Sequence, residues 1–110
     1  MLITSINNDH IKDIMKLKSK KYRNETNTFI IEGRHLVIEA YKANLIKELI
    51  LEKDEVFPLG VKTTYVTKSV MNKISDLENS TSVMAIVRKQ KEKEIGEKVI
   101  ILDDIQDPGN

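Results

Sequence analysis

The sequence predicts a compact three-layer α/β/α sandwich, with helices on both faces of a sheet. Short runs of β-branched and aromatic residues alternate with segments whose apolar residues recur at helical spacing. Such alternation favours an α/β architecture. The content of 40% hydrophobic and 32% charged residues is that of a folded domain, and 110 residues suffice for one core but not for two.

Capping and turn residues divide the chain into successive elements. Asn7, Asn8 and Asp9 offer N-cap candidates for the first helix, and Asn44 suits the left-handed position at the end of the second. Pro58 and Gly60 mark a loop, because neither residue is tolerated well in the centre of a strand. The expected elements are a helix over about 8–19, a strand over 28–32, a helix after Gly33, strands over 46–51 and 62–66, a short helix capped by Thr67, and a strand over 82–87.

The character of the sequence changes after residue 88. The stretch "KQKEKEIGEK" is charged and nearly free of apolar residues, which is typical of a linker, and "VIILDDI" then reads as a strand buried on both faces. We therefore predict three parts: a domain over 1–88, a charged linker over 89–98, and the first strand of a truncated second domain over 99–110.

Positive charge is concentrated near the amino terminus. The segment "KDIMKLKSKKYR" over 12–23 holds six basic residues and one acidic residue, although the whole chain carries only +1. Lys12, Lys16 and Lys20 are spaced by four residues, so a single helix would align them as one ridge. A tyrosine and an arginine follow at the end of this helix and are suited to base and phosphate contacts. The set predicted to bind RNA is Lys12, Lys16, Lys20, Lys21, Tyr22 and Arg23. A solvated lysine face is the alternative interpretation.

A second candidate site lies where a strand leads into a helix. Glu32, Gly33 and Arg34 occupy this junction, and a helix start is a natural site for an anion. The alternative is a tight turn that simply requires glycine. The chain has no cysteine, its histidines His10 and His35 lie in no catalytic spacing, and its glycines form no nucleotide-binding loop, so we predict no metal and no nucleotide site of these kinds.

The end of the chain, "LDDIQDPGN", resembles the first signature motif of the SpoU (TrmH-type) RNA 2′-O-ribose methyltransferases. The stretch "INNDHIKDIMKLKSKKYRNETNTFIIEGRHLVIEA" resembles the substrate-binding domain that precedes the catalytic domain in this family. Relatives commonly have a Pro-Gln-Gly turn where this chain has Ser80, Thr81 and Ser82, which is a departure from the pattern.

The resemblance implies a fold similar to kink-turn-binding ribosomal proteins, joined to a knotted domain that binds S-adenosylmethionine. It implies that Asn110 lies near the active site, that the essential arginine lies beyond it, and that the basic residues and the Glu32-Gly33-Arg34 junction face RNA. The parent enzyme would be a homodimer through the other domain. The fragment would be monomeric, without activity and without a cofactor site of its own.

We therefore predict the substrate-binding portion of an S-adenosylmethionine-dependent RNA 2′-O-ribose methyltransferase, with structured ribosomal RNA as its partner. Two alternatives remain open: a stand-alone RNA-binding or ribosome-associated module of the same fold, and a domain whose basic helix binds acidic proteins. No stretch approaches the roughly 20 apolar residues that cross a bilayer, and the amino terminus is not of the signal-peptide type, so we expect a cytoplasmic protein.

Overall fold

A computed structural model describes residues 2–76 and 81–89, which form a five-stranded sheet with helices on both faces. The elements are β1 (Leu2–Ile3), α1 (Asp9–Met15), a 3₁₀ helix (Lys16–Lys18), α2 (Lys20–Thr26), β2 (Thr28–Glu32), α3 (Arg34–Lys42), β3 (Ile46–Glu52), β4 (Thr63–Val66), α4 (Lys68–Ile74) and β5 (Val83–Arg88).

The sheet is mixed, with strand order β1-β4-β3-β5-β2. Strand β4 runs parallel to β1 and β3, whereas β5 runs antiparallel to β3 and β2. Two ends of the sheet follow from this pairing. The first end holds the starts of β2, β3 and β4 and the finish of β5. The second end holds the finish of β2 and β3 and the start of β5, and therefore the Gly33 turn.

Two apolar cores lie on opposite faces of the sheet. On one face, Val37 and Ala40 of α3 are fully buried with strand residues such as Leu49 and Leu51. The other core combines side chains from α1, the 3₁₀ helix, α4 and the strands: Ile3, Ile11, Ile14, Leu17, Ile50, Val66, Val70, Met71, Ile74, Met84 and Ile86. This arrangement confirms the predicted three layers.

Most element boundaries agree with the sequence prediction to within about a residue. The Thr67 side chain caps α4 by accepting from the backbone N–H of Val70 at 3.4 Å. Asn44 has the left-handed conformation expected after α3, with φ of 58°. The pairing of Leu2 and Ile3 with β4 was not predicted, because two residues carry no strand periodicity.

The first helix departs from prediction. We expected one helix over about 8–19, but α1 ends at Met15, and a 3₁₀ turn follows it. Ser19 then adopts an extended conformation, and its side chain accepts from the N–H of Tyr22 at 3.4 Å, so that it caps a new helix, α2. Lys12 and Lys16 remain one turn apart, but Lys20 belongs to α2. The single ridge of three lysines is therefore wrong.

No helix within residues 2–76 and 81–89 is long and apolar enough to cross a membrane. The Lys89 backbone N–H donates to the carbonyl of Asn27 at 2.9 Å, so the first residue of the predicted linker still contacts the folded part. Residues 90–110, which include the rest of that linker, the predicted strand of a second domain and Asn110, lie outside the described residues.

Removal of residues 99–110 is expected to leave Tm unchanged, because the two cores are built by residues 3–87. Thermal unfolding of the chain with and without this segment measures the effect. A drop of several degrees, equivalent to about 1 kcal/mol for a domain of this size, would show instead that the segment packs on this domain.

Candidate RNA-binding surface

Four of the exposed lysines of α1, the 3₁₀ helix and α2 form a surface together with one aromatic ring. We define the basic surface as Lys12, Lys16, Lys20, Lys21 and Tyr22. The four lysines are exposed and the tyrosine is partly buried. The Lys16 ammonium lies 5.6 Å from the centre of the Tyr22 ring on α2 and 3.3 Å from the Asp13 carboxylate on α1. Lys16 thus contacts both α1 and α2. The surface offers cations for phosphates and a ring for a base.

The position of Lys20 and Lys21 is unfavourable for the helix that carries them. Both lie in the first turn of α2, which contains no acidic residue. Unsatisfied N–H groups give the start of a helix partial positive charge, and an exposed cation there opposes it by about 0.3–1 kcal/mol. Helix stability therefore does not explain these two lysines.

Arg23 is separated from the other predicted RNA-binding residues by burial. Only 6% of the residue is exposed, and its guanidinium donates to the carbonyl oxygen of Leu17 at 2.9 Å. This carbonyl belongs to the 3₁₀ helix just before the chain turns into α2. The contact gives Arg23 a role in holding the two segments together, and we leave it out of the basic surface.

The Glu32 carboxylate is used by the protein itself. It accepts from the Ser75 hydroxyl at 2.5 Å and from the Asp76 backbone N–H at 2.8 Å, just after α4 ends. Asp76 in turn pairs with Lys18 at 2.9 Å, which ties the 3₁₀ helix to the same place. Gly33 follows with φ of 101°, a conformation that strongly favours glycine, and it precedes α3 without a capping side chain.

Arg34 extends over the loop between β3 and β4. Its guanidinium pairs with Glu55 and lies 5.1 Å from the centre of the Phe57 ring. The Ser82 hydroxyl donates to the other Glu55 oxygen at 2.5 Å. Ser82, part of the departure from the family pattern, thus has a structural contact, while Ser80 lies outside the described residues. The hydrogen bond from Ser82, followed by the charge of Arg34, lowers the pKa of Glu55 below its ordinary 4.5.

Glu55→Gln is expected to lower Tm at neutral pH, because it removes a charge that the fold stabilises. A carboxyl whose pKa falls on folding contributes stability above its unfolded pKa of 4.5 and loses it as the pH drops through the lower folded value. The Tm difference between Glu55→Gln and the wild-type chain should therefore shrink below about pH 4.5. Thermal unfolding at a series of pH values tests this, and a constant difference would contradict it.

The two groups of predicted site residues lie apart. The turn with Gly33 and Arg34 is at the second end of the sheet, where β2 finishes. Tyr22 lines a cleft together with Thr28 and Glu48, which lie at the first end. The basic surface and the Gly33 turn are therefore treated as separate candidates, and the second is occupied by internal hydrogen bonds.

Sequence reasoning missed a polar cluster beside the basic surface. Glu48 is buried, and its Oε2 lies 2.6 Å from His10 Nε2 and accepts from the Thr64 hydroxyl at 2.5 Å. Lys62 Nζ lies 4.0 Å from the other oxygen, Oε1. The available signal was a glutamate inside the apolar run "IKELIL", where a charge needs a partner.

The fold and the basic surface define a small mixed α/β domain with a cluster of exposed lysines on one face. A model of the MRM3-like substrate binding domain matches residues 8–85. The chain belongs to this family. The match contains α1, α2 and the whole basic surface, and it confirms the resemblance to SpoU-type proteins seen in the sequence.

Relatives with known roles agree with this assignment. The chain is 37% identical to the 23S rRNA (guanosine(2553)-2′-O)-methyltransferase RlmP of Bacillus subtilis (strain 168), over 98% of this chain and 46% of that protein. It is 30% identical to an AdoMet-bound rRNA methyltransferase structure from Sinorhizobium meliloti, with a TM-score of 0.74, over 86% of this chain and 40% of that one.

A more distant structure supports the fold alone. The SpoU methyltransferase AviRb from Streptomyces viridochromogenes has a TM-score of 0.62 at 12% identity, over 77% of this chain and 34% of that one. The chain therefore spans less than half the length of each of these relatives.

Proposed function

We propose that this chain is the rRNA-binding portion of an S-adenosylmethionine-dependent RNA 2′-O-ribose methyltransferase. The observation that carries the proposal is the substrate-binding-domain match over residues 8–85, which contains every residue of the basic surface. The proposed reaction and the class of RNA are those of the relatives, which are named as rRNA methyltransferases. The clustered charge supplies a physical reason for binding a polyanion.

The proposed mechanism is positioning. Lysines of the basic surface contact phosphates, and the Tyr22 ring stacks on an unpaired base. A domain that holds RNA in this way keeps the target ribose close to the methyl donor, which turns a bimolecular encounter into an oriented one. Lys16 and Tyr22 lie in contact across the two helices, so this part of the surface is arranged before RNA arrives.

The rest of the parent enzyme is proposed from the relatives. The Bacillus subtilis relative is about twice as long as this chain. A parent enzyme of that length has room for a catalytic domain, which residues 99–110 would begin after a linker over 89–98. S-adenosylmethionine would bind in that domain and supply the methyl group, and we assign none of the described residues to it. Asn110 would lie near the active site. The parent would be a cytoplasmic homodimer assembled through the catalytic domain, and the isolated chain a monomer.

Fluorescence anisotropy with a fragment of 23S rRNA centred on guanosine 2553 tests the proposal. Each phosphate contact contributes roughly 0.7–0.9 to the slope of log K against log salt, so titrations at about 50 and 200 mM salt should differ strongly. Saturable, salt-sensitive binding is the expected result. No binding at either salt concentration would overturn the role in RNA binding.

A further inference from the structure

A cleft beside the basic surface is not accounted for by phosphate binding. It has a volume of about 220 Å³. Its lining combines one aromatic ring, exposed lysines and a buried carboxylate. The lining residues used below are Tyr22, Lys47, Glu48 and Lys62, and His10 and Thr28 also contribute.

Glu48 is the chemically distinctive member of this lining. Its side chain is 5% exposed. Oε2 is engaged by His10 and Thr64, at 2.6 and 2.5 Å. Within the part of the chain that the structure describes, Oε1 has one charged neighbour, Lys62 Nζ at 4.0 Å, which is beyond hydrogen-bond distance. A buried carboxylate normally fills its acceptor sites, so Oε1 keeps capacity for a donor in the cleft.

An irregularity in the sheet brings two opposite charges to the cleft. The register of β3 against β5 shifts between Ile46 and Glu48. On a regular strand, Lys47 and Glu48 would point to opposite faces, but both line this cleft. Such irregularities re-aim side chains and are common at functional sites. The exposed Lys62 lies on the other side of the Glu48 carboxylate.

We propose that this cleft binds one unpaired nucleobase that carries an exocyclic amino group. The amino N–H donates to Glu48 Oε1, the Tyr22 ring packs against the base, and the lysines at 47 and 62 hold the adjoining phosphates. Carboxylates accept from such amino groups, as in contacts with cytosine N4. Uracil is disfavoured because carbonyl oxygens flank its single imino N–H and would face the carboxylate. This inference rests on the proposed function and adds base selectivity to it.

The test compares two single-stranded RNAs of equal length, an oligocytidylate and an oligouridylate of about eight nucleotides, which suits a site of this kind. Anisotropy titrations of the chain should show the oligocytidylate binding about tenfold more tightly, within the discrimination known for good base contacts. Glu48→Gln removes the negative charge and replaces one of the two carboxylate oxygens with an NH₂ group, which cannot accept from the base. The preference for the oligocytidylate should then disappear. Glu25→Gln, an exposed change on α2, should keep it.

Wild-type NMR keeps the test decisive even if Glu48→Gln does not fold. The oligocytidylate should shift the backbone amide signals of Lys47, Thr64 and Lys62 more than the oligouridylate does. Equal affinities and equal shifts, with the 23S fragment still bound, would overturn the base-binding site and leave the proposed function standing. Absence of binding to all three RNAs would overturn both.

Discussion

The double variant Lys20→Glu and Lys21→Glu is expected to bind the 23S rRNA fragment at least about tenfold more weakly than the wild-type chain, with no loss of stability. Two exposed cations, which we propose contact phosphates, are replaced by anions. Loss of two phosphate contacts should also lower the salt slope of log K by about 1 to 2. Since both positions lie in the first turn of α2, acidic residues there favour the helix, and Tm should stay level or rise.

A matched control is available on other parts of the surface. Lys42→Glu and Lys53→Glu change the net charge by the same amount, but Lys42 lies on α3, on the opposite face of the sheet, and Lys53 follows β3. Anisotropy titrations should show nearly unchanged binding for this control. If both double variants lose affinity equally, net charge rather than the basic surface determines binding.

Ile50→Ala is expected to lower the free energy of unfolding by about 2–5 kcal/mol. Ile50 is fully buried in β3, the central strand of the sheet, and belongs to the core that supports α1 and α4. Its truncation leaves a cavity that strands with partners on both sides cannot easily close. Domains of this size have roughly 5–15 kcal/mol of stability, so this single change removes a large share of it.

Urea unfolding followed by circular dichroism measures this loss. Val56→Ala serves as the control, because Val56 is 75% exposed in the loop after β3 and should change stability by no more than about 0.5 kcal/mol. A loss below about 1 kcal/mol for Ile50→Ala would show that the core relaxes around the site or that β3 is less enclosed than its burial indicates.

The fold was predictable where local signals agree with tertiary packing. Apolar periodicity located β2 to β5 and α3, and Thr67 and Asn44 marked helix boundaries by their capping chemistry. The break at Ser19 was missed because the lysine spacing continues through it. Serine is a strong N-cap residue, so that signal was present in "KLKSKKYR".

The candidate site was only partly predictable. Exposed lysines follow from composition and helical spacing, but the burial of Arg23 accompanies a hydrogen bond to the Leu17 carbonyl, which the side chain reaches only because the chain turns between them. The Glu48 cluster joins residues from α1, β3 and β4 that are far apart in sequence. A charged residue within an apolar strand can flag such a cluster, but the partners emerge only from the topology.

Mapping the bound RNA on the chain by NMR tests the central claim most directly. Backbone amide signals of the wild-type chain would be followed during titration with the 23S rRNA fragment. We expect the largest shifts in the helices that carry the basic surface, over Lys12 to Tyr22, and in the adjoining cleft at Lys47 and Lys62. Shifts confined to α3, on the opposite face of the sheet, would contradict it.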